Sequence, residues 1–532
     1  MKTLIPLFLV AILLIQPTLV GQTLDDAWSP VAEGIDYQQF RLPDPNNVFV
    51  ARMDRSNLSL TIESSIAHGG LSGSLEPVSS MAAHAEQAIN YWGGSFTPTT
   101  WGARNDVVVA INGSYFSWDT YIMEGGLIHS GWYAKRFEDC GGFTGFAWTL
   151  NRVPFIGENV WQKPEKNIVV FPETETSMEI NGVNQPRNSD ELVMYTPQYD
   201  ESTLTNDKGV EVLVELTRPT MLLPEPWRYA QGFIRSIRVN AGDTSVPFDH
   251  VVLSASGNIT PTLLSNSSIG AEVRISQELT PGLADSCNTL DEDIDWTKTF
   301  ASVQGHYYFL KNGVINPYDS DPNATDREPR TAIAYNDQYI FFIVVDGRDP
   351  LNSIGMTVEQ LAGFARDTLG ATNAVAHDGG GSSTMVVNGV VVNNVFCNNV
   401  YCVYDHQAYL PFVVKQVTPE LIDQQAQVQM VLFSDTYERA VPNGMMMVVV
   451  ETPLFTDTFT VTQQVFLSET AYVYSGPGTN FHVLDELPKG TSGVVIDALS
   501  ELNGVWARNA YWWRVDFGSL SGWVKQSALS AK

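Results

Sequence analysis

Two carboxylates stand where a short apolar strand gives way to glycine. Asp346 follows YIFFIVV (Tyr339 to Val345) and precedes Gly347, while Asp378 follows Ala374 to His377 and precedes Gly379, Gly380 and Gly381. Glycines lacking Cβ let a backbone approach a ligand closely and turn its amides inward. The run from Asp378 through Ser382, Ser383 and Thr384 can therefore cradle an anionic oxygen beside a carboxylate able to act as base or nucleophile. It is not a P-loop, since no Gly-Lys-[Ser/Thr] follows, and no G-x-G-x-x-G opens a helix. Asn112 ends a third apolar run, Val107 to Ile111, and also precedes a glycine. Arg330, Arg348 and Arg187 are the candidate anion clamps, because a planar guanidinium can donate two bonds to one anion. Tyr115, Phe116 and Trp118 offer ring faces on which a ligand could stack. His377 adjoins Asp378, but successive strand residues face opposite sides, so it is expected to point away.

These residues need elements to hold them. Thr357-Val-Glu-Gln360 reads as a capping box, Val358, Leu361, Phe364 and Ala365 make an apolar face, and Gly370 ends the segment. A helix is thus predicted between two strands. Strand, crossover helix and strand imply parallel neighbours, which would bring Asp346 and Asp378 to one C-terminal edge. Asn-Gly pairs at 112, 181, 312 and 388 predict hairpins. The expected fold class is α+β, a mixed β-rich catalytic domain around a strand-helix-strand core.

Composition narrows the setting. The chain has 532 residues, and 30 Lys+Arg against 59 Asp+Glu leave a net charge of −29. Such a surface repels phosphate backbones, so nucleic acid is excluded as a partner. Lys2 precedes an apolar run from Leu4 to Ile15, too short for a bilayer span and suited to a signal peptide over residues 1–21. A secreted or envelope-associated protein without a stable transmembrane anchor is expected. In that compartment Cys397 and Cys402 are expected to pair, leaving Cys140 with Cys287. That is one of three possible connectivities, and four free thiols is the alternative. No cofactor is implied. The acidic run Asp291 to Asp295 departs from a calcium loop at Trp296 and Ser302, so calcium has no supporting pattern there.

Several blocks resemble a known family. Arg330 to Tyr335, then VVDGRDPLNSIGMTVEQLAGFARDTLGATNAVAHDGGGSSTMVVNGVVVN, resemble the phosphodiester glycosidase family, which removes N-acetylglucosamine from sugar-1-phosphodiesters. VVVAINGSYF (Val107 to Phe116) and the stretch Ile180 to Thr205 resemble its other blocks in the same order, so the likeness covers about residues 106–416. His377, Ala334 and the CNNVYC insertion depart from the pattern. From Phe466 the chain resembles a bacterial SH3-like domain, carried by Val473-Tyr474, Ser475 to Gly478, Trp513-Arg514-Val515 and Gly522-Trp523-Val524. The expected domains are then a 22–105 region packing on the catalytic domain, the glycosidase domain at 106–416, a β extension or connector at 417–465, and a small all-β SH3-like barrel at 466–532.

The resemblance implies an exported hydrolase that cleaves the glycosidic C1–O bond of sugar phosphodiesters in exopolysaccharide or cell-wall material. Cleavage there passes through an oxocarbenium-like state and releases a stable phosphate anion, so charge neutralisation and a carboxylate near C1 matter most. Asp378 and Asp346 are the expected carboxylates and Asn112 their orienter. Arg330, Arg348, Arg187, Tyr115 and the Gly379 to Ser383 loop are the expected substrate contacts. The SH3-like domain is expected to bind wall peptides or glycans, separably from the chemistry. The alternative reading is a non-catalytic polysaccharide-binding or assembly protein that retains the fold.

Overall fold

The computed structural model describes residues 27–73, 75–91, 101–135, 145–157, 160–162, 167–218, 220, 229–276, 279–281, 299–396, 402–404 and 437–532. Two antiparallel sheets share its central core. The first runs Ser29–Ala32, Ile35–Leu42, Asn46–Asp54, Tyr339–Val345, Arg330–Tyr335, Asn373–Ala376, Leu310–Lys311, Val314–Ile315. The second runs Val390–Val391, Met385–Val387, Trp101–Asn112, Asn443–Glu451, Leu60–Ile66, with Ile89–Tyr91 added on the Trp101–Asn112 strand. Phe342, Val344, Ile333 and Val375 of the first meet Ile62, Val109, Ile111, Met445 and Met447 of the second.

The uninterrupted apolar run YIFFIVV follows from this layering. Ile340, Phe342 and Val344 face the shared core, while Phe341, Ile343 and Val345 pack on the other side with Val358, Leu361 and Phe364 of the predicted helix. Both faces are covered, so neither position of the two-residue period can be polar. The helix, Val358–Gly363, begins at its capping box: Gln360 N–H donates to Thr357 Oγ1 at 3.1 Å, and Thr357 N–H to Gln360 Oε1 at 3.0 Å.

The expected parallel neighbours are not neighbours. Arg330–Tyr335 lies between Tyr339–Val345 and Asn373–Ala376 and is antiparallel to both. Only three residues separate it from Tyr339, and this local hairpin takes the slot a parallel partner would fill. The two flanking strands still run the same way, so Asp346 and Asp378 leave one edge, with Arg330 starting its strand between them.

Two of the four Asn-Gly pairs form hairpins. Asn312 and Asn388, with their glycines, take left-handed φ values of 50°, 77°, 47° and 75° between paired strands. Asn112 and Asn181 do not, because tertiary partners engage their side chains; Asn181 Oδ1 accepts from Leu192 N–H at 2.8 Å. The expected domain borders also shift. Asn46–Asp54 pairs directly with Tyr339–Val345, so the 22–105 region is part of the core sheet. Asn443–Glu451, expected in a connector, sits between Leu60–Ile66 and Trp101–Asn112 with Met445 to Met447 fully buried.

Eight strands between Ile168 and Ser276 build a separate sheet with its own core. A five-stranded sheet, Leu127–His129 to Thr299–Gln304 at its middle, contributes to both cores. Strands from Gln464–Leu467 to Leu529–Ala531 form the C-terminal sheet around Val473, Trp513, Val515 and Val524. This sheet is docked on the body. Trp512, Trp523 and Leu502 share a cluster with Ile89, Ala103 and Phe248, and Arg514 Nη1 lies 2.7 Å from Glu215 Oε1. Among the described residues no helix is long and apolar enough to cross a membrane. The signal segment, the acidic run and Cys140, Cys287 and Cys397 lie outside the described residues. Cys402 opens the strand Cys402–Tyr404, where it is the register partner of Arg439.

Candidate active site

Asp378 is the first residue past its strand, and three bonds fix its main chain. Its N–H donates to Gly113 O at 3.0 Å, its carbonyl accepts from Asn112 Nδ2 at 2.7 Å, and the preceding His377 N–H donates to Thr331 O at 2.8 Å. Asn112 ends Trp101–Asn112 in the second sheet and is buried, so this contact stitches the two sheets together at the site. Its Oδ1 accepts from Thr331 Oγ1 at 2.7 Å and Thr384 N–H at 3.1 Å. Asn112 therefore positions the loop of Asp378 from both ends.

The carboxyl of Asp378 is pushed up to about 6 by burial, against the pull of a Ser382 hydrogen bond and the Arg439 charge, with Glu124 pushing upward. The loop after it turns through a short 3-10 segment, Gly380–Ser382, held where Gly380 N–H donates to Pro329 O at 2.9 Å. Gly380 has φ +63°, where a Cβ would be strained. Arg439 lies against this loop, and a Cβ on Gly381 would collide with its guanidinium. Arg439 Nη1 reaches Ser382 Oγ at 3.4 Å, and its guanidinium sits 5.3 Å from the Trp118 ring. Arg348 closes the other side: its Nη2 would be 3.1 Å from a Gly380 Cβ, and its Nε donates to Glu328 at 2.5 Å.

The remaining expected residues divide. Asp346 is buried and holds the segment after the last hairpin, accepting from Asn393 Nδ2 at 3.1 Å and from Asn394 N–H at 3.1 Å. Asn393 Nδ2 also donates to Ser383 O at 2.9 Å, so Asp346 meets the glycine loop through an intermediary. Burial pushes its carboxyl up to about 6 as well. Arg330 is at the edge, but its Nε donates to Met356 O at 2.9 Å and its Nη2 to the Asn323 and Asp326 carbonyls, each at 2.7 Å. Arg187 is not brought to the edge: it bonds Ser254 and Asn206 within the separate sheet, 4.0 Å from buried Glu211. Tyr115 does face the site. Burial raises its phenol well above the ordinary value, and Asp378 adds to the rise.

His377 points away from Asp378, as expected. Its Nδ1 lies 2.8 Å from Gln304 O, which can only accept, so Nδ1 carries the proton. Burial pushes the ring down to about 4 and keeps it neutral. The His306 ring meets Tyr115 and Tyr307 edge-on, with centroids 5.6 and 4.5 Å away.

Two site residues stand outside any sequence motif. Arg439 sits in YERAVPNG, with no motif around it. Glu124, an exposed carboxylate whose field reaches both Asp378 and Tyr115, sits in MEGG. Its glycine neighbours were the available cue. Among the described residues, Arg439 Nε, Ser383 Oγ, Thr384 Oγ1, Gln304 Oε1 and His377 Nε2 are buried without a hydrogen-bond partner. Three of these belong to the loop or to the guanidinium against it. Buried polar atoms are ordinarily satisfied, so they mark where a polar ligand would bond.

No curated protein matches this chain. Similar solved structures include a hypothetical protein from Synechocystis, with TM-score 0.46 and 14% identity over 79% of this chain and 62% of that one. This chain thus spans less than two thirds of that protein. A Burkholderia pseudomallei protein assigned as exported gives TM-score 0.44 and 17% identity, covering 76% and 74%. The zebrafish N-acetylglucosamine-1-phosphodiester alpha-N-acetylglucosaminidase catalytic domain, auto-inhibited by its pro-peptide, gives 0.31 and 14%, covering 69% and 77%. The phosphodiester glycosidase family model matches residues 244–405, the stretch that carries Arg330, Asp346 and the Asp378 loop.

Proposed function

We propose that the protein is a hydrolase that cleaves the C1–O bond of a sugar-1-phosphodiester. The observation that carries this reading is a carboxyl raised to about 6 beside a glycine loop, with a partly desolvated guanidinium laid against the same loop. In this reading ionised Asp378 stabilises or attacks the oxocarbenium-like C1. Arg439, with the Ser382 and Ser383 hydroxyls and the loop amides, binds the phosphate. Water adds its oxygen to C1, and its proton ends on the departing phosphomonoester. Tyr115 and the exposed Trp118 take the sugar face. Asn112, Asp346 and Arg330 position the loop and the edge. An extracytoplasmic location, and binding of wall peptide or glycan by an SH3-like C-terminal sheet, belong to the same proposal.

Turnover of sugar-1-phosphodiesters in ¹⁸O-labelled water tests it. Free sugar carrying the label is the expected product. Label in the phosphate would place cleavage at P–O and overturn the reading. Tight binding of the same compounds with no turnover would instead favour a polysaccharide-binding protein.

A further inference from the structure

A second cluster of chemistry-bearing side chains lies beside the chain segment that follows Arg439, where Glu76 pairs with Val441. His68, Glu76 and His84 come from three local elements: the short turn Ala67–Gly69, an isolated bridge residue, and the last turn of the helix Val78–Ala85. One ligating atom from each lies within 4.8 Å of the others. His84 Nδ1 is 3.0 Å from Glu76 Oε1, and His68 Nδ1 is 3.9 Å from Glu76 Oε2. Ligands at about 2.0–2.1 Å from a tetrahedral ion stand roughly 3.3 Å apart, so the spacings bracket what zinc needs.

The carboxylate is the informative member. Glu76 is 1% exposed, and its carboxylate is met by the His84 imidazole, 3.0 Å from Oε1, and by a Ser80 hydrogen bond. A buried carboxylate is costly unless a cationic partner meets it, a place that a protonated imidazole or a metal ion can take. Its other oxygen is oriented from behind, by His68 N–H donating at 2.6 Å. Such a bond to a ligating carboxylate is the outer-shell support that metal sites use. His68 itself holds φ 51°, a left-handed conformation that directs its ring back toward Glu76. Both imidazoles are about half exposed, which leaves an entry path and an open coordination position.

We propose that His68, His84 and Glu76 bind one zinc-class divalent cation. Two imidazoles and one carboxylate suit zinc and its borderline neighbours, whereas calcium and magnesium prefer all-oxygen sets. The ion would be a strap. Glu76 pairs with Val441 through main-chain bonds of 3.0 and 2.9 Å, and Ser79 N–H donates to Glu438 at 3.1 Å. Arg439 lies between those two contacts in sequence. Zinc would therefore tie the turn and the helix to the strand end that aims Arg439 at the glycine loop.

Untagged protein, stripped with chelator and dialysed against zinc chloride, tests this by metal analysis and thermal melting. About one zinc per chain and a raised melting midpoint are expected, with calcium or magnesium producing neither. His68→Ala and His84→Ala alter half-exposed side chains and should keep the fold, and each should weaken zinc binding at least about tenfold. Equal zinc uptake by the double His variant, or a melting midpoint indifferent to zinc, would overturn the site and leave an ordinary His–Glu ion pair.

Discussion

Asp378 could be singled out from its neighbours alone, because glycine after a strand end is a local signal and the desolvation of the carboxyl follows from burying that strand. Its charge state decides two measurements. With the folded group at about 6, kcat/KM for a sugar-1-phosphodiester should fall as pH drops below about 6, and Asp378→Asn should cost about 10²–10⁴-fold. The stability effect runs the other way. A folded carboxyl that binds its proton more tightly than the unfolded one destabilises the protein above pH 6, and that cost vanishes near pH 4. Asp378→Asn should therefore raise the melting midpoint at pH 7.5 more than at pH 4. An equal shift at both would contradict the assignment. Arg439 pulls the same carboxyl down, so Arg439→Gln should move the acidic limb of the pH profile to higher pH while raising KM. An unmoved limb would remove Arg439 from the site. Nothing in YERAVPNG announces that role, because a guanidinium gains meaning only from what the fold lays beside it. Arg330 shows the converse: its type suited a phosphate clamp, and three main-chain carbonyls engage it instead.

At the scale of elements, the helix, its capping box and the two strand ends were legible because each is written within about ten residues. The insertion of Arg330–Tyr335 between those two strands was not, since its hairpin to Tyr339 has no Asn-Gly signal. Asn112 misled for a related reason: its pair resembles a turn, yet Asp378, Thr331 and Thr384 lie more than 200 positions away. The glycine loop offers a contrast that tests how the site is held. A Cβ on Gly379 would meet Pro329 O at 2.7 Å, a main-chain atom with nowhere to go. Gly379→Ala should cost about 1–3 kcal/mol of stability, read by urea unfolding. The atoms nearest a Cβ on Gly381 are instead the far end of Arg439. Gly381→Ala should leave the unfolding midpoint nearly unchanged and raise KM about tenfold, as expected when a charge-assisted contact to phosphate is displaced. If both variants behave alike, the guanidinium is not the element that the loop's missing side chains accommodate.

Over the whole molecule, the C-terminal strands read as a separable module because their turns and aromatics are local, whereas the surface they dock on is spread over residues 89, 103, 215, 248 and 249. Such a surface leaves no trace in any one stretch of sequence. Arg514 is mostly buried between Glu215 and Asp249, which are themselves 5% and 1% exposed. Deleting the module would take Arg514 away from those two carboxylates and uncover Phe248, so truncation before Phe466 should impair the body as well as any wall binding. Arg514→Met isolates the electrostatic part. Removing one partner of a buried pair commonly costs 3–5 kcal/mol, and Arg235 still bonds Glu215 at 2.6 Å, so about 3 kcal/mol is expected. The pH dependence fixes the sign. Burial acts to raise Asp249, but His250 and Arg514 more than offset it, and Glu215 is likewise held below its usual range, mainly by Arg514 against burial. Groups depressed on folding contribute stability above their unfolded values, near pH 4, and lose it as pH falls further. Acidification from pH 7 to 3.5 should therefore lower the urea midpoint of the wild type more than that of Arg514→Met, because the variant has already lost the coupling that protons would break. Equal losses in the two proteins would mean that the module is held by its apolar cluster alone.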